Sequence, residues 1–148
     1  MDDVRILMMQ LAAKGYSCSQ IIIQLALDAR GEANPSLIRA MAGPAYGCGA
    51  GHATCGALTG GACLLALYAA KGSDTETESE RFACMLEELS DWFHQQVGSQ
   101  YGGIVCETIT GEDGPAAARQ RCGAIVADIF TKAMEILVAN GFDPYAAD

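Results

Sequence analysis

Positive charge is scarce in this chain. Its 148 residues hold 9 lysines and arginines against 18 aspartates and glutamates, a net charge of −9. Nucleic acid and anionic membrane surfaces both call for basic patches, so neither is an expected partner. The start, Met1-Asp2-Asp3, is acidic where a secretory leader would be basic, and the apolar piece after it is cut by Gln10 and Lys14. A cytoplasmic protein is expected. A convincing membrane span is lacking too. Residues 53–70 carry no charge, which touches the lower limit for a span, but three glycines, two threonines and two cysteines leave the run weakly hydrophobic. A buried core helix is the better reading. Strand-like alternation, internal repeats, low-complexity tracts and linkers are also missing. The expectation is therefore one all-α domain over 1–148, a compact bundle of five to six helices with a Gly/Cys-rich loop.

Several chemistries are missing from the local sequence. There is no C-x-x-C, so neither a thioredoxin-like motif nor a zinc knuckle is written, and no C-x-x-C-H for attaching haem. Ferredoxin-like clustering of cysteines is absent. No carboxylate pair suited to acid–base work and no Ser–His–Asp arrangement can be read. What the chain does have is seven cysteines. In an intracellular protein these are mostly reduced thiols, available for metal, redox chemistry or packing, and the odd count fits poorly with a complete disulfide scaffold.

The stretch 43–63 is the one around which the rest is organised. Gly43, Gly47, Gly49 and Gly51 let the backbone take positive φ and approach a bound group closely. An uncharged helix follows, to about Ala70, with Thr54 as its expected N-cap and Cys55 as its first residue. A thiol there faces unpaired N–H groups and the positive end of the helix dipole, which favours the thiolate. Gly56 and Gly60, one turn apart with Thr59, form a flat strip where another backbone can pack, or through which a homodimer could form.

Before this stretch, Val4, Leu7, Met8 and Leu11 mark a helix ended by Gly15. Ser17 with Gln20 is a capping box that makes Cys18 the first residue of the next helix, repeating the arrangement at Cys55. Asn34-Pro35 starts a short third helix. After the uncharged helix, Ser73 with Glu76 reads as another capping box, and Asp74, Glu76, Glu78 and Glu80 suit a helix start. The amphipathic helix that follows carries Phe82, Met85, Leu89, Phe93 and Val97, with His94 as an ordinary helix-surface or half-buried histidine. From 98 to 114 glycines break the pattern into a long irregular segment that holds Cys106. Cys122, Val126, Ile129, Phe130, Ala133 and Leu137 stripe the last helix, with Arg119 and Arg121 placed to hold the Cys122 thiolate.

Cys18, Cys55, Cys106 and Cys122 thus occupy element boundaries or loops, with Cys48 a fifth inside the glycine run. Cys63 and Cys84 lie mid-helix among apolar neighbours, where packing is the default. His52 sits one turn before Cys55 and is an accessory candidate, although a solvated loop histidine is commoner. For Glu107, beside Cys106, a solvated acid is the simpler reading.

Gly-Tyr-Ser-Cys-Ser-Gln at 15–20, Cys-Gly-Ala-Leu-Thr-Gly at 55–60, Gly98-Ser99 leading to Cys106-Glu107 and Gly111, and Cys122 ahead of Ile125-Val126 and Glu135-Ile136-Leu137 form one pattern. On these pieces the chain resembles a family of small proteins to which redox activity is ascribed. The family is named for its C…GCAxxG…C…C pattern and is related to the C-terminal part of split-Soret cytochromes. The resemblance implies a cytoplasmic helical protein in which Cys18, Cys55, Cys106 and Cys122 are the family's cysteine set. It further implies an iron–sulfur cluster, most simply of the two-iron kind, for electron transfer or redox sensing, with a redox partner of unspecified identity. Gly49, Gly51 and Gly56 would then line the cofactor. The spacing from Gly98 to Cys106 is longer than the family's usual one, and Cys48 is an additional thiol, a ligand or resolving partner in waiting. Two alternatives stay open at this point: a metal-free thiol–disulfide protein using Cys18, Cys55 or Cys48, and a structural zinc site.

Overall fold

An uncharged helix has no face suited to water, and α4 (Gly56–Ala69) is accordingly surrounded. In the computed structural model α2 (Cys18–Arg30), α5 (Phe82–Phe93) and α8 (Pro115–Ala139) pack around it. α1 (Asp2–Ala13) rests on α2 and α8, and the short α3 (Pro35–Ala40) on α2. The structure describes residues 2–146; Met1, Ala147 and Asp148, part of the expected domain, lie outside the described residues. The protein is all-α, with no strand among those residues. Ile22, Leu64, Leu65, Leu89, Phe93, Ile129 and Leu137 are fully buried in one continuous apolar cluster. No helix among the described residues is long and apolar enough to cross a membrane.

Local signals explain most boundaries. The Gln20 side chain accepts from the Ser17 N–H at 3.0 Å and from its hydroxyl at 3.1 Å, so α2 opens at Cys18. Gly31, at φ +69°, ends it. The Asn34 side chain accepts from the Leu37 N–H at 3.1 Å, with Pro35 in the first position. The small-residue strip is used inside the chain. A Cβ on Gly60 would lie 3.1 Å from Ser19 Cα and 3.3 Å from Ile22 Cδ1. The strip is how α2 and α4 come together, and it is not left open to a second copy.

Three expectations fail here. No helix begins at Ser73: the chain turns through 70–81 and α5 starts only at Phe82. The Ser79 N–H captures the carbonyl of Ala69 at 2.8 Å, pulling the chain back on α4, while the Glu76 carboxylate accepts from the Gly72 N–H at 2.6 Å. Asp74, Glu76, Glu78 and Glu80 are therefore an exposed loop. Segment 98–114 is less irregular than expected. α5 runs on through a wider turn, His94–Gly98, into α6 (Ser99–Tyr101), and α7 (Cys106–Thr110) follows. Cys84 is exposed, one position off the inward stripe of Met85 and Leu89, whereas Cys63 is half-buried. Of the surface and half-buried readings of His94 the surface one holds: it is exposed, its Nδ1 2.8 Å from the Ser90 carbonyl.

Candidate redox site

The site begins with two short pieces of extended backbone. Thr54 and Val105 form an isolated antiparallel bridge. The Cys55 N–H donates to the Ile104 carbonyl at 2.8 Å and the Cys106 N–H to the Ala53 carbonyl at 3.0 Å. This pairing brings together two cysteines 51 positions apart and starts a helix from each. Cys55 is itself the N-cap of α4, in place of the expected Thr54, which the bridge takes up; Cys106 heads α7. Cys18 comes from the tip of α2. A Cβ on Gly56 would lie only 2.7 Å from its Sγ, so the missing side chain is what admits this thiol beside Cys55. Cys122, in the third turn of α8, closes the group.

The electrostatics record the convergence. Burial pushes the Cys55 thiol from 9.0 up to about 11, the amides of Ala57 and Leu58 pull the other way, and Cys18 and Cys106 add repulsion. Cys122 is also pushed to about 11, by burial first and then by Cys55, Cys18 and Cys106. Cys106 is raised by burial, then by Cys18 and Glu107. The four sulfurs are near enough that one thiolate hinders the next. Two expectations are thereby overturned. The tip of α4 does not make Cys55 acidic, because desolvation outweighs its amides. Nor do arginines hold a Cys122 thiolate: Arg119 is exposed, and Arg121 turns to Asp113 and the carbonyls of Ile109 and Thr110.

The glycine loop covers Cys106. Tyr46 and Cys48 hold left-handed conformations, φ 56° and 60°, which non-glycine residues adopt at a cost of about 1 kcal/mol or more each. Gly47 shows why the loop bends here: a Cβ on it would lie 2.6 Å from the Ala53 carbonyl and 2.8 Å from Cys106 Cβ. Nothing in the sequence singled this glycine out from its neighbours. Gly51 lies against Glu107, whereas Gly49 has open space around it. Cys48 is exposed and none of the four raised thiols, Cys55, Cys63, Cys106 and Cys122, is pushed by it. His52 is exposed, with Nδ1 3.2 Å from a Glu107 carboxylate oxygen.

All seven cysteines are free thiols. Among the described residues no group of three or more His, Cys, Asp or Glu side chains is disposed to hold a metal ion. A single tetrahedral zinc would draw all four sulfurs into one coordination sphere. A cluster, whose irons are separated by sulfide, accepts thiolates set wider apart. In donor type and number four cysteines suit either group.

A family model described as "Putative redox-active protein (C_GCAxxG_C_C)" matches residues 16–136, a span that includes all four of these cysteines. No curated protein and no solved structure matches the chain.

Proposed function

The chain belongs to the C_GCAxxG_C_C family, to which redox activity is ascribed, and we propose that Cys18, Cys55, Cys106 and Cys122 form one redox centre that binds an iron–sulfur cluster of the two-iron kind. The gathering of these thiols carries this reading: the Thr54–Val105 bridge joins Cys55 to Cys106, Gly56 admits Cys18, and Cys122 lies near enough to feel all three. Partly buried thiols that oppose one another's ionisation are costly to deprotonate alone, and a bound cation reverses that cost. When bound, such a cluster supplies reversible one-electron transfer. The chain's own part is to bring the donors together and offset their charge. The tips of α2 and α4 and the amides of Ala57 and Leu58 face the negative sulfurs, and Leu58, buried beside them, limits water. The protein would act in a reducing compartment such as the cytoplasm, as an electron carrier or redox sensor.

In favour of the metal-free thiol–disulfide reading, the described residues hold no group of three or more His, Cys, Asp or Glu side chains disposed around a single ion. With Cys55 as the attacking thiol it is weakened, because burial pushes that thiol to about 11 and keeps it protonated near neutral pH. Purification without oxygen separates the readings. The proposal predicts visible absorbance and about two irons and two acid-labile sulfides per chain. Colourless protein that takes up no iron, but reversibly loses two hydrogens on mild oxidation, would establish the thiol–disulfide reading instead. Colourless protein with one zinc would establish the structural site.

A further inference from the structure

α7 has five residues, too few to persist unaided, yet it carries Cys106. Its last carbonyls have no partner within the helix. Arg121, adjacent to Cys122 on α8, supplies one: its Nη1 donates to the Ile109 carbonyl at 3.3 Å and to that of Thr110 at 3.1 Å. Its Nη2 pairs with the Asp113 carboxylate, and the guanidinium lies 5.6 Å from the centre of the Tyr101 ring at the end of α6. One planar cation therefore joins α6, the end of α7 and the turn into α8. Gly111 makes room for it, since a Cβ there would lie 2.7 Å from Nη1. Lysine, a point charge, cannot reach all of these groups at once.

We propose that Arg121 is a positioning residue of the four-cysteine centre, fixing Cys106 relative to Cys122 by clamping the end of α7 to α8. The inference rests on the reading of these thiols as one centre. Without the clamp α7 opens locally while the α2–α4–α8 core stays intact.

The test is maleimide alkylation of the full chain, reduced and treated with chelator, followed by peptide mapping of each cysteine. Arg121→Gln should speed modification of Cys106 about tenfold, with Cys63 unchanged, and Arg121→Lys should restore part of the protection. Asp113→Asn, which removes the carboxylate that holds Nη2 and leaves the backbone of α7 untouched, should raise Cys106 reactivity in the same direction and carries the test if Arg121→Gln does not fold. Unchanged Cys106 reactivity in the folded variants would overturn the proposal. So would a parallel rise at Cys63, or a lysine variant no better than glutamine. None of these measurements involves iron, so failure to bind a cluster would strike the functional reading and leave the clamp result distinct.

Discussion

A cysteine at a helix tip is ordinarily read as acidic, and Cys55 shows when that reading fails. The amides of Ala57 and Leu58 do act on its sulfur in the expected direction. The residue is only 7% exposed, however, and two neighbouring thiols stand close by, so the neutral form wins. Sequence gave access to the amides through the cap pattern but not to burial, which distant segments decide. The sign of the pH dependence follows. In the metal-free protein the thiols of Cys55 and Cys122 titrate near 11, against 9.0 for an ordinary thiol. Between those values the folded chain keeps protons that the unfolded chain has lost. Stability is thus full below about pH 9 and falls as pH rises toward 11. Thermal melts under reducing conditions should show a shallower fall over this window for Cys122→Ser than for wild type. Equal slopes would contradict the assignment.

At the scale of elements, the pairing of α2 with α4 depends on the absence of side chains at Gly56 and Gly60. Alanine at position 60 would gain roughly 1 kcal/mol of helix propensity. Its Cβ would also meet the backbone Cα of Ser19 at 3.1 Å, where neither helix can yield without moving. Overpacking of this kind costs about 1–3 kcal/mol, and more than offsets the propensity. Ser19 adds rigidity, being fully buried with its hydroxyl donating to the Met41 carbonyl at 2.6 Å. Gly60→Ala is expected to lower the melting temperature by several degrees; a rise would show that the helices separate freely. The glycine spacing made this contact readable in advance, as the Ser17–Gln20 box made the start of α2 readable. Ser73 and Glu76 presented the same local pattern without a helix behind it. What differs is the long-range bond from the Ser79 N–H to the Ala69 carbonyl, which no local pattern contains. The bridge of Thr54 with Val105 was hidden for the same reason, and with it the helix start at Cys106.

Over the whole molecule, the acidic run at 74–80 lies apart from the thiols, although Glu107 stands beside Cys106. The exposed acidic loop at 74–80 follows the C-terminal end of α4, about 20 Å along that helix from Cys55. The excess negative charge behind the net −9 is concentrated partly there, away from the thiols. At the opposite end, four segments scattered over 105 positions of sequence, from Cys18 to Cys122, deliver one sulfur each. The remaining cysteines sit elsewhere in character: Cys48 and Cys84 are exposed, and Cys63 is half-buried in α4. That division gives the most direct measurement, iron and acid-labile sulfide in anaerobic preparations of wild type and seven single Cys→Ser chains. Loading should collapse for Cys18, Cys55, Cys106 and Cys122 and stay at the wild-type level for Cys48, Cys63 and Cys84. A wild-type chain without iron, or equal loading in all seven variants, would contradict the account.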